Sequence, residues 1–151
     1  MPSIKDLVLI FTLSDCEFAI DVKNLVEVSE GLEFSPGAID GTLGKLNYRG
    51  ASIPLLDIYK RLSLPETGRK SDIVVVVRID KHLIAFPVDS VKGVMEVKGN
   101  VFHFPQIMVR EQGVFPLVYT WKDDFIISMD LDVLYGSDYI SSLIDINEEE
   151  L

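Results

Sequence analysis

The hydrophobic positions of the chain fall into short runs broken by turn residues. Leu7–Leu13 (LVLIFTL) is followed by the polar segment Ser14-Asp15-Cys16-Glu17 and then by Phe18-Ala19-Ile20. Two apolar runs around so short a polar segment predict a hairpin. Further strands are predicted at Ser52–Ile58, Ile73–Ile79, Leu83–Val88, Val94–Lys98, Phe115–Trp121 and Phe125–Leu131. Ile73–Ile79 (IVVVVRI) lacks the alternation of a strand with one wet face, so it is expected to be covered on both faces. Asp80-Lys81-His82 and Lys122-Asp123-Asp124 have hairpin-turn length. Many short strands at about 8–12-residue spacing suggest an all-β barrel or sandwich.

Helical signals are few. Asp21 precedes Val22-Lys23-Asn24-Leu25 and can cap one turn. Asp57–Leu64 predicts a short helix that stops near Pro65, and Ser137–Ile146 a terminal one. Residues 65–72 read as a loop, and 99–113 as a second irregular stretch.

A weak internal repeat runs through this pattern. Phe18-Ala19-Ile20-Asp21-Val22-Lys23-Asn24-Leu25 matches Ile84-Ala85-Phe86-Pro87-Val88-Asp89-Ser90-Val91, and Val28 then matches Val94. Ile53-Pro54-Leu55-Leu56-Asp57-Ile58 likewise matches Ile126-Ile127-Ser128-Met129-Asp130-Leu131. Each unit is several strands, a V-x-x-[LV] turn and a strand ending in an aspartate. Two copies imply two similar small β-barrels, each too small to hold much core alone, so the pair is expected to share a buried seam.

Composition narrows the chemistry. The chain has 151 residues, 48% hydrophobic and 25% charged, which excludes intrinsic disorder. Its 14 basic against 24 acidic residues give a net charge of −10, without the basic stripe that binding to nucleic acid needs. Asp145 and Glu148-Glu149-Glu150 account for four of the acidic charges near the C-terminal end. One cysteine makes no internal disulfide, and no Cys/His cluster has zinc spacing. Neither a secretory signal peptide nor a spanning segment of about 20 apolar residues is read, so a cytosolic protein without direct membrane insertion is expected.

Few residues could carry catalysis. Cys16 lies in the predicted turn and reads as an incidental thiol; His82 and His103 read as turn and strand residues. Asp130-Leu131-Asp132 would put two carboxylates on one strand face, where a divalent cation could sit. The simpler reading is that Asp132 caps the turn into Val133-Leu134-Tyr135. Gly41-Thr42-Leu43-Gly44-Lys45 is not a phosphate loop, because the glycine spacing is wrong and Leu46 follows the lysine. Two alternatives stay open on this inventory: a small metal-dependent hydrolase using Asp130 and Asp132, and a nucleic-acid-binding β-barrel. No cofactor or metal is expected.

The most informative segment is Gly44-Lys45-Leu46-Asn47-Tyr48-Arg49-Gly50, followed by Ile53-Pro54-Leu55-Leu56-Asp57. At a hairpin tip the glycine would permit an unusual backbone conformation and hold the Arg49 guanidinium at a defined place. Together with Phe11-Thr12-Leu13, Phe18-Ala19-Ile20-Asp21-Val22, Leu25-Val26-Glu27-Val28 and Val88-Asp89-Ser90-Val91, these motifs follow an order and spacing that resembles the CheW-like chemotaxis coupling proteins, from about residue 7 to about residue 135.

The resemblance implies a mainly β fold over residues 1–151, a single CheW-like domain with short helices. Two interleaved SH3-like five-stranded β-barrel subdomains would share one hydrophobic core. It implies a non-enzymatic adaptor that binds the regulatory domain of the histidine kinase CheA and the cytoplasmic tip of chemoreceptors, and so sits in the cytoplasm at receptor arrays through its partners. Carried over residue by residue, it assigns partner binding to Leu25, Glu27, Asn47 and Arg49. Glu27 and Arg49 would form an ion pair beside the receptor-binding groove, while Val88, Asp89 and Val91 would be structural. Tyr48 departs from the family's usual leucine, and Phe34–Leu43 (FSPGAIDGTL) from its usual proline-containing stretch.

Overall fold

The computed structural model describes residues 7–37, 42–65, 72–96, 100–103, 113–121, 124–136, 139–140 and 143. Twelve strands are defined there: β1 (Leu7–Leu13), β2 (Cys16–Asp21), β3 (Leu25–Glu30), β4 (Phe34–Pro36), β5 (Thr42–Tyr48), β6 (Ala51–Leu56), β7 (Ile73–Ile79), β8 (His82–Pro87), β9 (Ser90–Glu96), β10 (Asn100–His103), β11 (Leu117–Trp121) and β12 (Asp124–Ser128). Two one-turn helices, α1 (Ile58–Arg61) and α2 (Leu131–Leu134), follow β6 and β12. No helix among the described residues is long and apolar enough to cross a membrane.

The strands form two six-stranded sheets, ordered β10-β11-β12-β2-β1-β9 and β3-β7-β8-β6-β5-β4. Renumbering β1–β6 as β7–β12 converts one order into the other, so the repeat read from the sequence is a repeat of topology. Each half of the chain contributes to both sheets. β3 leaves β1 and β2 to pair with β7, and β9 leaves β7 and β8 to pair with β1. Each sheet also contains one parallel pairing: Ser128 lies opposite Ala19, and Leu55 opposite Ala85, at matching positions of the two halves. The sixth strand of each sheet is the short edge element β4 or β10.

Why β1 and β7 are almost wholly apolar is visible in how their side chains divide. Leu9, Phe11 and Leu13 join Val75, Val77 and Ile79 in the main core, with Phe18, Ile20, Ile84 and Phe86 from the paired strands. The intervening residues point the other way, as a two-residue period requires. Val74, Val76 and Ala85 enter a small core with Leu46, Tyr48, Ile53 and Leu55. Val8, Ile10 and Ala19 enter the equivalent core with Ile126. One shared core and one small core per sheet is the architecture of two SH3-like subdomains on a common seam. At the seam, the Phe11 ring centroid lies 6.2 Å from that of Phe18 and 5.7 Å from that of Phe86. Such aromatic pairs add about 0.5–1.5 kcal/mol each beyond the area they bury.

Local chemistry sets the element ends. Ser14 and Asp15 form a two-residue turn between β1 and β2, both with positive φ, as a turn matching the twist of the strands demands. The turn expected from the sequence is longer; Cys16 is instead the first residue of β2, exposed and opposite Leu13. His82 likewise begins β8, opposite Ile79. Ile58 and Leu131 open helices rather than closing strands, because Asp57 and Asp130 cap there: Asp57 accepts from Lys60 N, and Asp130 from Asp132 N and Val133 N. Asp21 caps the single 3-10 turn Val22–Asn24 in the same way.

Residues 100–103 within the stretch expected to be irregular form β10. Of the terminal helix expected over Ser137–Ile146, Tyr139, Ile140 and Leu143 are helical, and the rest lies outside the described residues, as do most of the 65–72 loop and Lys122-Asp123. Gly44 is required where β4 closes onto β5, because a Cβ at this position would collide with the Ser35 carbonyl oxygen.

Candidate functional site

The site begins with an irregularity in β3. Opposite residues of an antiparallel pair share a face, and Leu25 lies opposite Val77 whereas Glu27 lies opposite Val76. Val26 is the extra residue of a β-bulge. Leu25 therefore faces the main core and packs against it, while Glu27 and Ser29 face the small core that contains Tyr48.

Arg49 arrives from the other side. Tyr48 and Ala51 pair across β5 and β6, leaving Arg49-Gly50 as a two-residue turn with φ of +50° and +80°. Gly50 takes the left-handed conformation without cost; Arg49 adopts it against its preference. The guanidinium is thereby held at a fixed tip, its side chain 73% exposed.

The two meet in a compact cluster. Arg49 Nη2 donates to Glu27 Oε1 at 2.5 Å, and Tyr48 Oη donates to the same oxygen at 2.9 Å. Ser29 Oγ donates to Glu27 Oε2 at 2.5 Å. The Arg49 guanidinium carbon lies 5.2 Å from the Tyr48 ring centroid, within cation–π range. The hydroxyls of Ser29 and Tyr48, aided by the Arg49 charge, hold the Glu27 carboxyl below its ordinary value, against partial desolvation. Burial and the bond to Glu27 push the Tyr48 phenol upward.

The structure thus brings Glu27 and Arg49 together and places the other two sequence-assigned residues apart from them. Leu25 lies against the main core. Asn47 is exposed on the outer side of β5, opposite Ser52, with its backbone N–H on the Glu33 carbonyl at 2.9 Å. It lines an open groove of about 650 Å³ with Phe34, Ser35, Lys45 and Ser52. Tyr48 and Ser29 were missed from sequence as members of the cluster. The signal that could have found Ser29 is its spacing from Glu27, since i and i+2 share a face of a strand.

The repeat breaks at this cluster. Val91 and Gly93 lie opposite Phe11 and Ile10 around the same kind of bulge, so Gly93 occupies the position of Glu27 in the second half. The fold accommodates the bulge without a carboxylate. Asp89 matches the structural expectation: its carboxylate accepts from Ser14 N at 2.8 Å and from the Tyr59 hydroxyl, tying the first hairpin to α1.

The paired aspartates do not assemble a metal centre. Asp130, not Asp132, is the cap, because its Oδ1 accepts the N–H groups of the two helical residues that begin the turn after Leu131. Asp132 is exposed, 3.9 Å from Lys23 Nζ. Among the described residues, no group of three His, Cys, Asp or Glu side chains could hold a metal ion.

Comparison with known proteins agrees with this architecture. A curated relative, "Probable chemotaxis protein CheW" of Rhizobium etli, is 24% identical over 97 residues, which span 60% of this chain and 61% of that protein. The solved structure of the scaffolding protein TtCheW from Thermoanaerobacter tengcongensis superposes with a TM-score of 0.77 at 21% identity, covering 90% of this chain and 96% of that one, a likeness of fold. The CheW-like domain model matches residues 7–138, the span that holds both sheets and the Glu27–Arg49 pair, and the chain belongs to that family of non-enzymatic adaptors.

Proposed function

We propose that this protein is a cytoplasmic scaffold of chemotaxis-type signalling that couples chemoreceptors to the histidine kinase CheA. The observation that carries the reading is the Glu27–Arg49 pair, which ties β3 to the exposed β5–β6 hairpin tip within a CheW-like framework. A docking function asks for shaped surface and few reactive groups, and the chain offers that balance: one cysteine, two histidines and two six-stranded sheets. Partner contact is assigned to Arg49 at the tip, with Glu27 on β3 holding it, and to Asn47 on the groove beside it; Leu25, at the start of β3, is packed against the main core.

The kinase side docks through its regulatory domain and the receptor side through its cytoplasmic tip, so that receptor state is transmitted by shape alone. Titration of the protein with the cognate kinase regulatory domain, followed by calorimetry, tests the reading. Saturable binding is expected, and no binding at tens of micromolar overturns it.

A further inference from the structure

We propose that Tyr48 and Ser29 are positioning residues, whose hydroxyls clamp the Glu27 carboxylate so that Arg49 is presented to the receptor in a single orientation. This deepens the scaffold reading and rests on it. An exposed ion pair alone does little to order a long side chain, because solvent screens it and rotamer entropy opposes it. Here the acceptor is held independently of the arginine: Oε2 takes the Ser29 hydroxyl and Oε1 the Tyr48 hydroxyl. The Tyr48 ring is only 5% exposed and is anchored among Leu46, Ile53 and Leu55, so the phenol cannot swing away. That same ring flanks the guanidinium at 5.2 Å. Arg49 is therefore gripped by a fixed carboxylate and a fixed ring, at the tip of a turn whose backbone is itself constrained.

Two further observations favour a functional rather than a folding role. Gly93 replaces Glu27 in the second half, so the architecture forms the same bulge with no clamp. Both Glu27 oxygens already accept protein donors, so the group directed at a partner is the guanidinium, which carries five N–H donors in a planar fork. The receptor group it takes is an acceptor, a carboxylate or a main-chain carbonyl.

The test compares wild type with Tyr48→Phe, which keeps the ring and removes the hydroxyl, and with Ser29→Ala. Three quantities are read: affinity for a receptor cytoplasmic-tip fragment, the titration of the Glu27 carboxyl by NMR, and the melting midpoint. The titratable and charged side chains that face Glu27 are Tyr48 from β5 and Arg49 from the β5–β6 turn. Each variant is expected to lose about two- to tenfold in affinity, the worth of one hydrogen bond, and to move the Glu27 midpoint up toward 4.5. Wild-type affinity in Tyr48→Phe, an unmoved Glu27 titration, or affinity lost only in step with the melting midpoint overturns the proposal. A wild-type protein that binds no receptor tip overturns the scaffold reading instead; the Glu27 titration needs no partner and still decides whether the clamp exists.

Discussion

Leu25 and Glu27, two residues apart on one strand, face opposite sides of their sheet. Strict alternation would put both against the main core; the bulge at Val26 turns Glu27 to the side where Tyr48 and Arg49 wait. Deleting Val26 removes only the extra residue: Glu27 then follows Leu25 directly, stays opposite Val76 and keeps the face it already occupies. The deletion variant is expected to keep the Glu27 carboxyl titrating below 4.5, with a melting midpoint lowered by no more than about 4 °C. A carboxyl that returns to 4.5 in this variant shows that the deletion shifts the register of β3 and turns Glu27 away from Tyr48 and Arg49.

Charge reversal at the tip separates binding from folding. Arg49 is largely exposed, and its partner Glu27 keeps two hydroxyl donors without it. Arg49→Glu is therefore expected to shift the melting midpoint by no more than about 2 °C. Affinity for the receptor tip should fall at least about tenfold, because an acceptor on the partner now meets a like charge. A large loss of stability would make Arg49 structural.

The cluster also gives the protein a defined pH response. The Glu27 carboxyl is held below its ordinary value of 4.5, first by the Ser29 hydroxyl and then by that of Tyr48. A depressed carboxyl stabilises the fold above that ordinary value and loses its contribution as pH falls through the folded one. The Tyr48 phenol is raised above 10.0, mainly by burial, so its contribution is complete below 10.0 and fades as pH rises through the folded value. Between these limits, the gap in melting midpoint between wild type and Glu27→Gln should be flat. It should close in acid, where the wild-type carboxyl also becomes neutral. A gap that widens on acidification contradicts the clamp.

Much of this architecture was legible in the chain. Leu7–Leu13 and Ile73–Ile79 stood out because each strand is buried on both faces, which turns alternation into an unbroken apolar run. The match of Ile53–Ile58 with Ile126–Leu131 aligned Asp57 with Asp130, although Asp132 rather than Asp130 was read as the cap. The strands at Leu25–Glu30, Thr42–Tyr48 and Asn100–His103 escaped notice for physical reasons. The first two carry bulges, at Val26 and at Leu43, that break the two-residue period, and β10 is a short edge strand with little to bury. Glu27 and Arg49 were found through the resemblance; their 22-residue separation carries no local signal. Tyr48 and Ser29 joined them only once the bulge had fixed which face Glu27 occupies.

The remaining carboxylate chemistry is structural, and this can be checked directly. Asp130 spends Oδ1 on the N–H groups of Asp132 and Val133, the duty Asp57 performs on Lys60 in the first half. Asp130→Ala is expected to cost about 0.5–2 kcal/mol, as loss of an N-cap does. A hydrolytic metal centre at Asp130 and Asp132 would behave differently, because a cation that binds only the folded state raises the melting midpoint in proportion to its occupancy. Magnesium, calcium or manganese at millimolar concentration should leave the midpoints of wild type and Asp130→Ala equally unmoved. A cation-dependent rise in the wild type that Asp130→Ala abolishes would restore the enzymatic alternative at this site.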